Sequence, residues 1–306
     1  MSRIPEPDTT PNGPAWEGRL LDRADEEVVD QGVAFDLGTL GAVVSRRGVL
    51  SLLGLGAGAL ALAACSSEST VGSTTASSTS AGEIPEETAG PYPGDGSNGV
   101  DVLERSGIVR SDIRSSIDGG ATASGVAMTL TLTILDMANN DAPFTDAAVY
   151  VWHCDAAGGY SMYSSGLEDV TYLRGVQVVD GSGRVTFTSV FPACYTGRWP
   201  HIHFEVYPDV ASITDSTNAI ATSQVALPEG VAATVYALDG YAGSTANLAQ
   251  VSLGSDNVFS DDSGASQLAT VTGDAGSGYA VALTVRVDTA TAAGGGSGGG
   301  SRAPGR

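Results

Sequence analysis

The sequence contains no lysine, so all 14 of its basic side chains are arginines, against 35 aspartates and glutamates and a net charge of −21. A surface with this much negative charge repels phosphate backbones, which excludes nucleic-acid binding as a function. The same charge disfavours adsorption to anionic lipid. Any attachment to a membrane is therefore expected to be covalent.

The chain also has few aromatic residues, 6% in all, and no convincing amphipathic helix or internal repeat between residues 84 and 289. Polar and apolar residues alternate instead, and turn-forming residues separate the alternating runs, as in half-buried strands. These runs lie at residues 128–134, 148–154, 184–191, 201–207, 219–227 and 279–287. The pattern predicts an all-β protein, an antiparallel β-sandwich preceded by an irregular N-terminal segment.

Three segments precede the predicted folded domain. Residues 1–44 are polar, acidic and irregular, and we expect a disordered leader extension there. Residues 45–65 place Arg46 and Arg47 before a short apolar run that ends at Cys65, which resembles a twin-arginine export signal with a lipobox. A buried hydrophobic helix is the alternative. Residues 66–83 are rich in Ser and Thr and predict a flexible linker.

The segments together predict a destination. We expect export by the twin-arginine pathway, followed by a lipid anchor on Cys65 at the outer face of the cell membrane, or secretion. The twin-arginine pathway carries folded proteins, which suits a protein that acquires a cofactor in the cytoplasm. The folded domain then spans residues 84–289, and residues 290–306 form a flexible Gly/Ser tail.

Histidine is scarce, and its three positions are candidates for chemistry. His201 and His203 are two residues apart in a strand-like run, so their side chains share one face of the strand. Two adjacent imidazoles can bind a metal, although a polar pair on an exposed strand face has the same pattern. His153 either completes a zinc site or is a hydrogen-bonded structural residue.

A resemblance to a known family covers most of the folded domain. The segments that carry it are ETAGPY at 87–92, VRSDIR at 109–114, VWHCDAAGGY at 151–160, LRGVQ at 173–177, DGSGRVTF at 180–187, YTGRWPHIHF at 195–204 and TSQ at 222–224. In this order and spacing they resemble the intradiol ring-cleavage dioxygenases, the group that contains protocatechuate 3,4-dioxygenase and catechol 1,2-dioxygenase.

Carried over position by position, the resemblance implies a site for non-haem Fe(III). Its ligands would be Tyr160, Tyr195, His201 and His203, and its catalytic residues Arg198, Gln224 and Tyr195. A free tyrosine titrates near pH 10 and is anionic at neutral pH only beside a strong Lewis acid. Hard anionic oxygen ligands favour the ferric state. Taken singly, each residue also has an ordinary structural explanation.

The resemblance further implies an enzyme that inserts both atoms of O2 into a catechol-type aromatic diol. The ring would open between its two hydroxyl groups to a cis,cis-muconate-type diacid. The partners would be the aromatic substrate and O2, and a homo-oligomer is left open. The alternative is a non-catalytic β-sandwich lipoprotein on the cell surface that binds a ligand or a protein, because a fold can outlive its chemistry.

Two departures from the family pattern concern residues near Tyr195. The family's Pro-Gly-x-Tyr is Pro-Ala-Cys-Tyr at 192–195, and only five residues separate Tyr195 from His201, where the protocatechuate enzymes carry a longer insertion. The identity of the aromatic substrate therefore stays open. Cys154 and Cys194 either form a disulfide or are buried thiols.

Overall fold

The computed structural model describes residues 82–290 and the backbone of three short strands near the N-terminus. The chain divides into two units, one of residues 6–81 and one of residues 1–5 with 82–306. In the first unit, strands β1 (Asp8–Thr10), β2 (Gly13–Trp16) and β3 (Arg19–Leu20) form an antiparallel sheet. These strands lie within residues 1–44, for which the sequence predicts a disordered leader extension, and the other residues of that range are outside the described part of the chain. The predicted signal at 45–65, the linker as far as residue 81 and the tail from residue 291 lie outside the described residues.

Residues 82–290 consist mainly of strands joined by long irregular connections. In chain order the strands are β4 (Ala127–Asp136), β5 (Ala142–Pro143), β6 (Ala148–Trp152), β7 (Arg174–Val178), β8 (Arg184–Val190), β9 (His201–Tyr207), β10 (Ala221–Ala226), β11 (Thr270–Asp274) and β12 (Gly278–Val287). The helices are α1 (Glu229–Tyr236) and α2 (Ser244–Leu248). The predicted all-β class is confirmed, with two short helices that the sequence did not predict. No helix among these residues has the length and apolar character needed to span a membrane.

The strands form two sheets. One has the order β10-β9-β6-β7, and all of its neighbours are antiparallel. The other has the order β11-β12-β4, and both β5 and β8 pair with the free edge of β4. In this second sheet β12 runs parallel to β4, with Leu283 opposite Leu132. A parallel pair requires a long connection, and most of the domain lies between these two strands.

The core lies between the two sheets. Strand β4 buries every second side chain, and strand β12 does the same over its whole length. These side chains pack in one cluster with residues of the first sheet, among them Val149, Val151, Ile202, Phe204 and Val206. The apolar positions of β9 therefore point into the core, as the alternation predicts, and the two histidines between them point away from it.

The opposite face of the first sheet is also buried. A second hydrophobic cluster covers it, to which β6 contributes Tyr150 and Trp152 and the loop after β6 contributes Tyr160 and Tyr163. The segment before β4 adds Val102, Leu103 and Ile108. As a result every residue of β9 is buried, including those that face away from the core. A polar strand face that is buried in this way is typical of a functional site.

Arg174 fastens the N-terminal segment to this face. Its guanidinium donates hydrogen bonds to the carbonyl oxygens of Tyr92 and Pro93, at 2.9 and 2.6 Å, and to the hydroxyl of Tyr150 at 2.9 Å. Further bonds go to the Ser161 carbonyl and hydroxyl oxygens, both at 3.0 Å. A buried cation is tolerated only when its donors are satisfied, and here neutral oxygens satisfy them. Arg174 thereby ties residues 92–93 to the residue that follows Tyr160.

The two cysteines of the domain are free thiols. Cys154 and Cys194 are both buried, and they belong to the clusters on opposite faces of the first sheet. Burial raises the pKa of the Cys194 thiol to about 12 and raises that of Cys154 as well. Of the two alternatives left open by the sequence, the structure shows buried thiols and not a disulfide.

Candidate metal centre

Four side chains from three parts of the domain bring their donor atoms together. The hydroxyl oxygens of Tyr160 and Tyr195 are 3.4 Å apart, and the Tyr195 hydroxyl lies 3.1 Å from Nε2 of His201. Nε2 of His201 lies 3.1 Å from Nε2 of His203. The structure thus brings together all four side chains that the sequence predicts as ligands.

Local structure explains how the two tyrosines reach the histidines. The turn before Tyr160 is closed by Asp155, whose Oδ1 accepts hydrogen bonds from the backbone N–H groups of Ala157 and Gly159, both at 2.9 Å. The same turn accepts a backbone bond from Ala193, two residues before Tyr195, at 3.1 Å. This bond joins the two loops that carry the tyrosines, while β9 supplies both histidines from one strand face.

The ring of His201 has a defined orientation. Its Nδ1 is bonded to the carbonyl oxygen of Trp199, which can only accept, so Nδ1 carries the proton. In the neutral imidazole, Nε2 then presents its single lone pair to the Tyr195 hydroxyl. Burial, followed by the charge of Arg198, lowers the pKa of His201 to about 3, so the ring is neutral at physiological pH.

His203 lacks the partners that a buried imidazole needs. Its ring stacks on Trp152 with 4.8 Å between centroids and an interplanar angle of 8°. Its Nδ1 is buried and has no hydrogen-bond partner in the structure. Its Nε2 lies beside Nε2 of His201, whose lone pair already faces the Tyr195 hydroxyl. Burial lowers the pKa of His203 well below its usual range, and protonation of the adjacent His201 would lower it further. Hydrogen bonding alone therefore leaves this ring unsatisfied.

Electrostatics keep the four donors neutral in the protein itself. Burial, followed by the neighbouring Tyr195, raises the pKa of Tyr160 well above its usual range. Burial raises the pKa of Tyr195 to about 12, although the charge of Arg198 opposes the shift. A bound cation reverses this logic, because it favours the phenolate and uses the imidazole lone pairs. The set of two phenol oxygens and two imidazole nitrogens therefore suits a hard, highly charged cation.

Other kinds of metal site fit less well. Among residues 82–290 no group of three His, Cys, Asp or Glu side chains could hold a metal ion. His153, the remaining histidine, bonds through Nδ1 to the Cys154 carbonyl at 2.8 Å and through Nε2 to the Ser189 hydroxyl at 2.7 Å. Both of its nitrogens are thus occupied. Of the two alternatives for His153, the structure favours the hydrogen-bonded structural residue over a third zinc ligand.

Arg198 lies beside these donors and is held on two sides. Its Nε donates to Oδ2 of Asp256 at 3.0 Å, and its Nη2 donates to Oε1 of Gln224 at 2.7 Å. Gln224 in turn donates from Nε2 to the carbonyl oxygen of Thr88 at 3.0 Å. Because both ends of the Gln224 amide are bonded, its orientation is defined, and it links Arg198 to the N-terminal segment.

The N-terminal segment closes over the donors at Gly90. This residue has φ +73°, and a Cβ built on it would lie 3.4 Å from Cε1 of His203. Two residues later, Tyr92 packs on Tyr160 with 4.8 Å between ring centroids. Glycine is needed here because the backbone is left-handed and because it approaches a ring that belongs to the site.

A family model matches the part of the chain that contains these side chains. Residues 103–211 match the family model Dioxygenase_C, described as dioxygenase. That segment is about a third of the chain and contains all four converging side chains together with Arg198. No curated protein matches the chain.

Solved structures share the fold. An intradiol ring-cleavage dioxygenase from Tetranychus urticae is 23% identical over 67% of this chain and 94% of its own, with a TM-score of 0.50. A second dioxygenase crystal structure is 23% identical over the same shares, with a TM-score of 0.52. A 3-chlorocatechol 1,2-dioxygenase from Rhodococcus opacus 1CP is 16% identical over 68% and 74% of the two chains, with a TM-score of 0.44. The domain has the fold of the intradiol ring-cleavage dioxygenases.

Three residues around the site are not identified from the sequence. Asp256 follows Arg198 by 58 residues in the chain, so no local motif joins them. Trp152 has the pattern of an ordinary strand residue, although it stacks on His203. Gly90 lies in a segment quoted for the resemblance, where the dipeptide Gly90-Pro91 indicates a turn or loop but not its contact with His203.

The contact at Gly90 generates a prediction with a matched control. Gly90→Ala should destabilise the left-handed backbone by roughly 1–2 kcal/mol and bring a methyl group into contact with the His203 ring, lowering metal retention and activity about tenfold. Gly119 has a similar φ of +77°, and a Cβ added there would meet no atom within 4 Å, so Gly119→Ala should show only the backbone effect. Thermal unfolding, metal content and turnover of both variants test this. Equal metal retention in the two variants would contradict the role of Gly90.

Proposed function

We propose that this protein is a non-haem ferric intradiol dioxygenase. It would bind a catechol-type aromatic diol and O2 and cleave the ring between the hydroxyl groups to a cis,cis-muconate-type diacid. The dioxygenase family match and the fold support this enzyme class. The single observation that carries the proposal is the convergence of two phenol oxygens and two imidazole nitrogens, in steps of 3.1 to 3.4 Å.

The four converging side chains fit Fe(III). Tyr160, Tyr195, His201 and His203 would hold the ion, with two phenolates offsetting most of its charge. A bound ferric ion would supply the Lewis acidity that activates a catechol toward O2. The remaining chemistry belongs to the side chains of this protein.

Tyr195 is the phenol best placed to give way to substrate. It is half-buried, whereas Tyr160 is 2% exposed and packs against Tyr92. As a phenolate that has given up its place to the substrate, Tyr195 can accept a proton from the incoming diol at Oη. Its pKa of about 12 favours this step, because it exceeds that of an ordinary tyrosine. Tyr160 and the two histidines would stay in place.

Arg198 is placed to stabilise negative charge in the reaction. Its guanidinium always carries a proton, and its side chain is only 12% exposed, so water screens its field weakly. Its charge acts on the Tyr195 hydroxyl, where it lowers the pKa against the effect of burial. A cation fixed at this point would stabilise the charge that develops on the ring carbon under attack.

Replacement of Tyr195 tests the proposal. Iron-loaded protein should absorb in the visible region through its phenolate ligands and should place both atoms of labelled O2 in one diacid product. Tyr195→Phe should shift that absorption and slow turnover roughly a hundredfold. Tyr279→Phe, a change on β12 in the core, should alter neither. Colourless protein without ring cleavage would instead support the non-catalytic lipoprotein.

Charge generates a prediction about substrate class. The net charge is −21, and Arg198, the cation beside the donors, is already paired with Asp256. We therefore expect uncharged catechols to be cleaved with a kcat/KM at least about tenfold above that of protocatechuate, whose carboxylate is repelled. Added salt should narrow the difference. A preference for protocatechuate at low ionic strength would contradict this.

We also propose that the protein is exported through the twin-arginine signal and anchored by a lipid on Cys65. The support is the sequence pattern at 45–65 and the Ser- and Thr-rich composition of the segment that follows it. Cys65→Ser should move the protein from the membrane fraction to the soluble exported fraction, with its ring-cleavage activity retained. If the variant stays in the membrane fraction, the anchor is not at Cys65.

A further inference from the structure

Asp256 is a buried carboxylate outside the set of residues named so far as ligands or catalytic groups. It lies in the irregular segment between α2 and β11, and its side chain is 0% exposed. Its two oxygens accept hydrogen bonds from Arg198 and from the backbone N–H groups of Trp199, Val258 and Phe259. A carboxylate with this many donors is fixed in position.

The first consequence concerns Arg198. Oδ2 of Asp256 accepts a hydrogen bond from Nε of Arg198 at 3.0 Å, and Oδ1 accepts one from Nη2 at 3.4 Å. The carboxylate therefore pairs with one edge of the guanidinium. Gln224 accepts from the same Nη2 at 2.7 Å. The planar group is therefore held by two residues from different elements, and its rotation is restricted.

The second consequence concerns His201. The Asp256 oxygen that accepts from Arg198 Nε also accepts from the Trp199 N–H, at 2.6 Å. The carbonyl oxygen of that same residue, Trp199, accepts from Nδ1 of His201. One carboxylate thus fixes the backbone of Trp199, and Trp199 fixes the direction in which Nε2 of His201 presents its lone pair.

We propose that Asp256 is a positioning residue that sets both the guanidinium of Arg198 and the ring of His201. The inference rests on the proposed ferric dioxygenase function, in which Arg198 stabilises negative charge and His201 binds the metal ion. A purely structural role is the competing explanation, since Trp199, Val258 and Phe259 also form a small hydrophobic cluster around this carboxylate. Such a role would affect folding alone.

The test compares Asp256→Asn with Asp141→Asn in the full-length, iron-loaded protein. Asp141 pairs with Arg286 at a partly exposed site, so its variant removes one carboxylate charge without touching the metal centre. We expect Asp256→Asn to lower kcat more than it changes KM, with kcat/KM down 10- to 100-fold and iron released about tenfold faster to a chelator. Asp141→Asn should change neither quantity.

An Arg198→Gln variant separates the two parts of the role. It should lower kcat and change the rate of iron release only a few-fold, because Arg198 acts on the ligands through its charge, whereas Trp199 orients His201. The double variant Arg198→Gln/Asp256→Asn leaves no unpaired buried charge and keeps the test valid if Asp256→Asn alone does not fold. The double variant should release iron about tenfold faster than Arg198→Gln.

Two results overturn the proposal. If folded Asp256→Asn matches the wild type in kcat/KM and iron release and differs only in its unfolding temperature, Asp256 is structural. If the double variant retains iron as well as Arg198→Gln does, the link to His201 is wrong. Wild-type protein that binds no ferric ion overturns the proposed function and this role with it, whereas iron-loaded wild type with an unaffected Asp256→Asn overturns the role alone.

Discussion

Two imidazole nitrogens lie 3.1 Å apart in a buried site, and the packing around them holds them in that contact. Burial keeps both rings neutral, and one of them has a nitrogen without a hydrogen-bond partner. Two phenol oxygens adjoin the pair. A group of lone pairs this close together is unfavourable by itself and becomes favourable around a cation. The geometry is therefore suited to a bound metal ion.

The surrounding structure holds this arrangement from three directions. Arg174 fastens residues 92–93 to the residue after Tyr160, so the N-terminal segment stays over the donors. The turn at Asp155 joins the two loops that carry the tyrosines. Asp256, from a later part of the chain, accepts a hydrogen bond from the backbone N–H of Trp199, two residues before β9 begins. Each contact joins stretches that are far apart in the chain, so the site is assembled only when the whole domain is folded.

Part of this could be predicted from the sequence, because some of the signals are local. Alternation along β4, β9 and β12 predicts their faces correctly, since a strand repeats every two residues. Strand β7 is not predicted because Gly175 interrupts its pattern, and glycine is there because Ile113 lies against the backbone. The parallel pairing of β12 with β4 likewise depends on contacts across the whole domain.

The same distinction applies to the site. The alternation of one strand is enough to identify His201 and His203 as a pair on one face. The tyrosines and Arg198 are identified as site residues only through the family resemblance. Asp256 has no such signal: it lies in a stretch of ordinary loop composition, and its importance comes from five donors that tertiary folding brings to it. Residues that orient ligands through the backbone are generally hidden from a single sequence for this reason.

In the proposed enzyme, Tyr160, Tyr195, His201 and His203 share one ferric ion. Crystals of the iron-loaded protein, measured with X-rays on either side of the iron absorption edge, test it directly. We expect a single anomalous peak in this domain, within bonding distance of both hydroxyl oxygens and both Nε2 atoms. A peak elsewhere, or fully loaded protein in which any of the four atoms is out of reach of the iron, would contradict it.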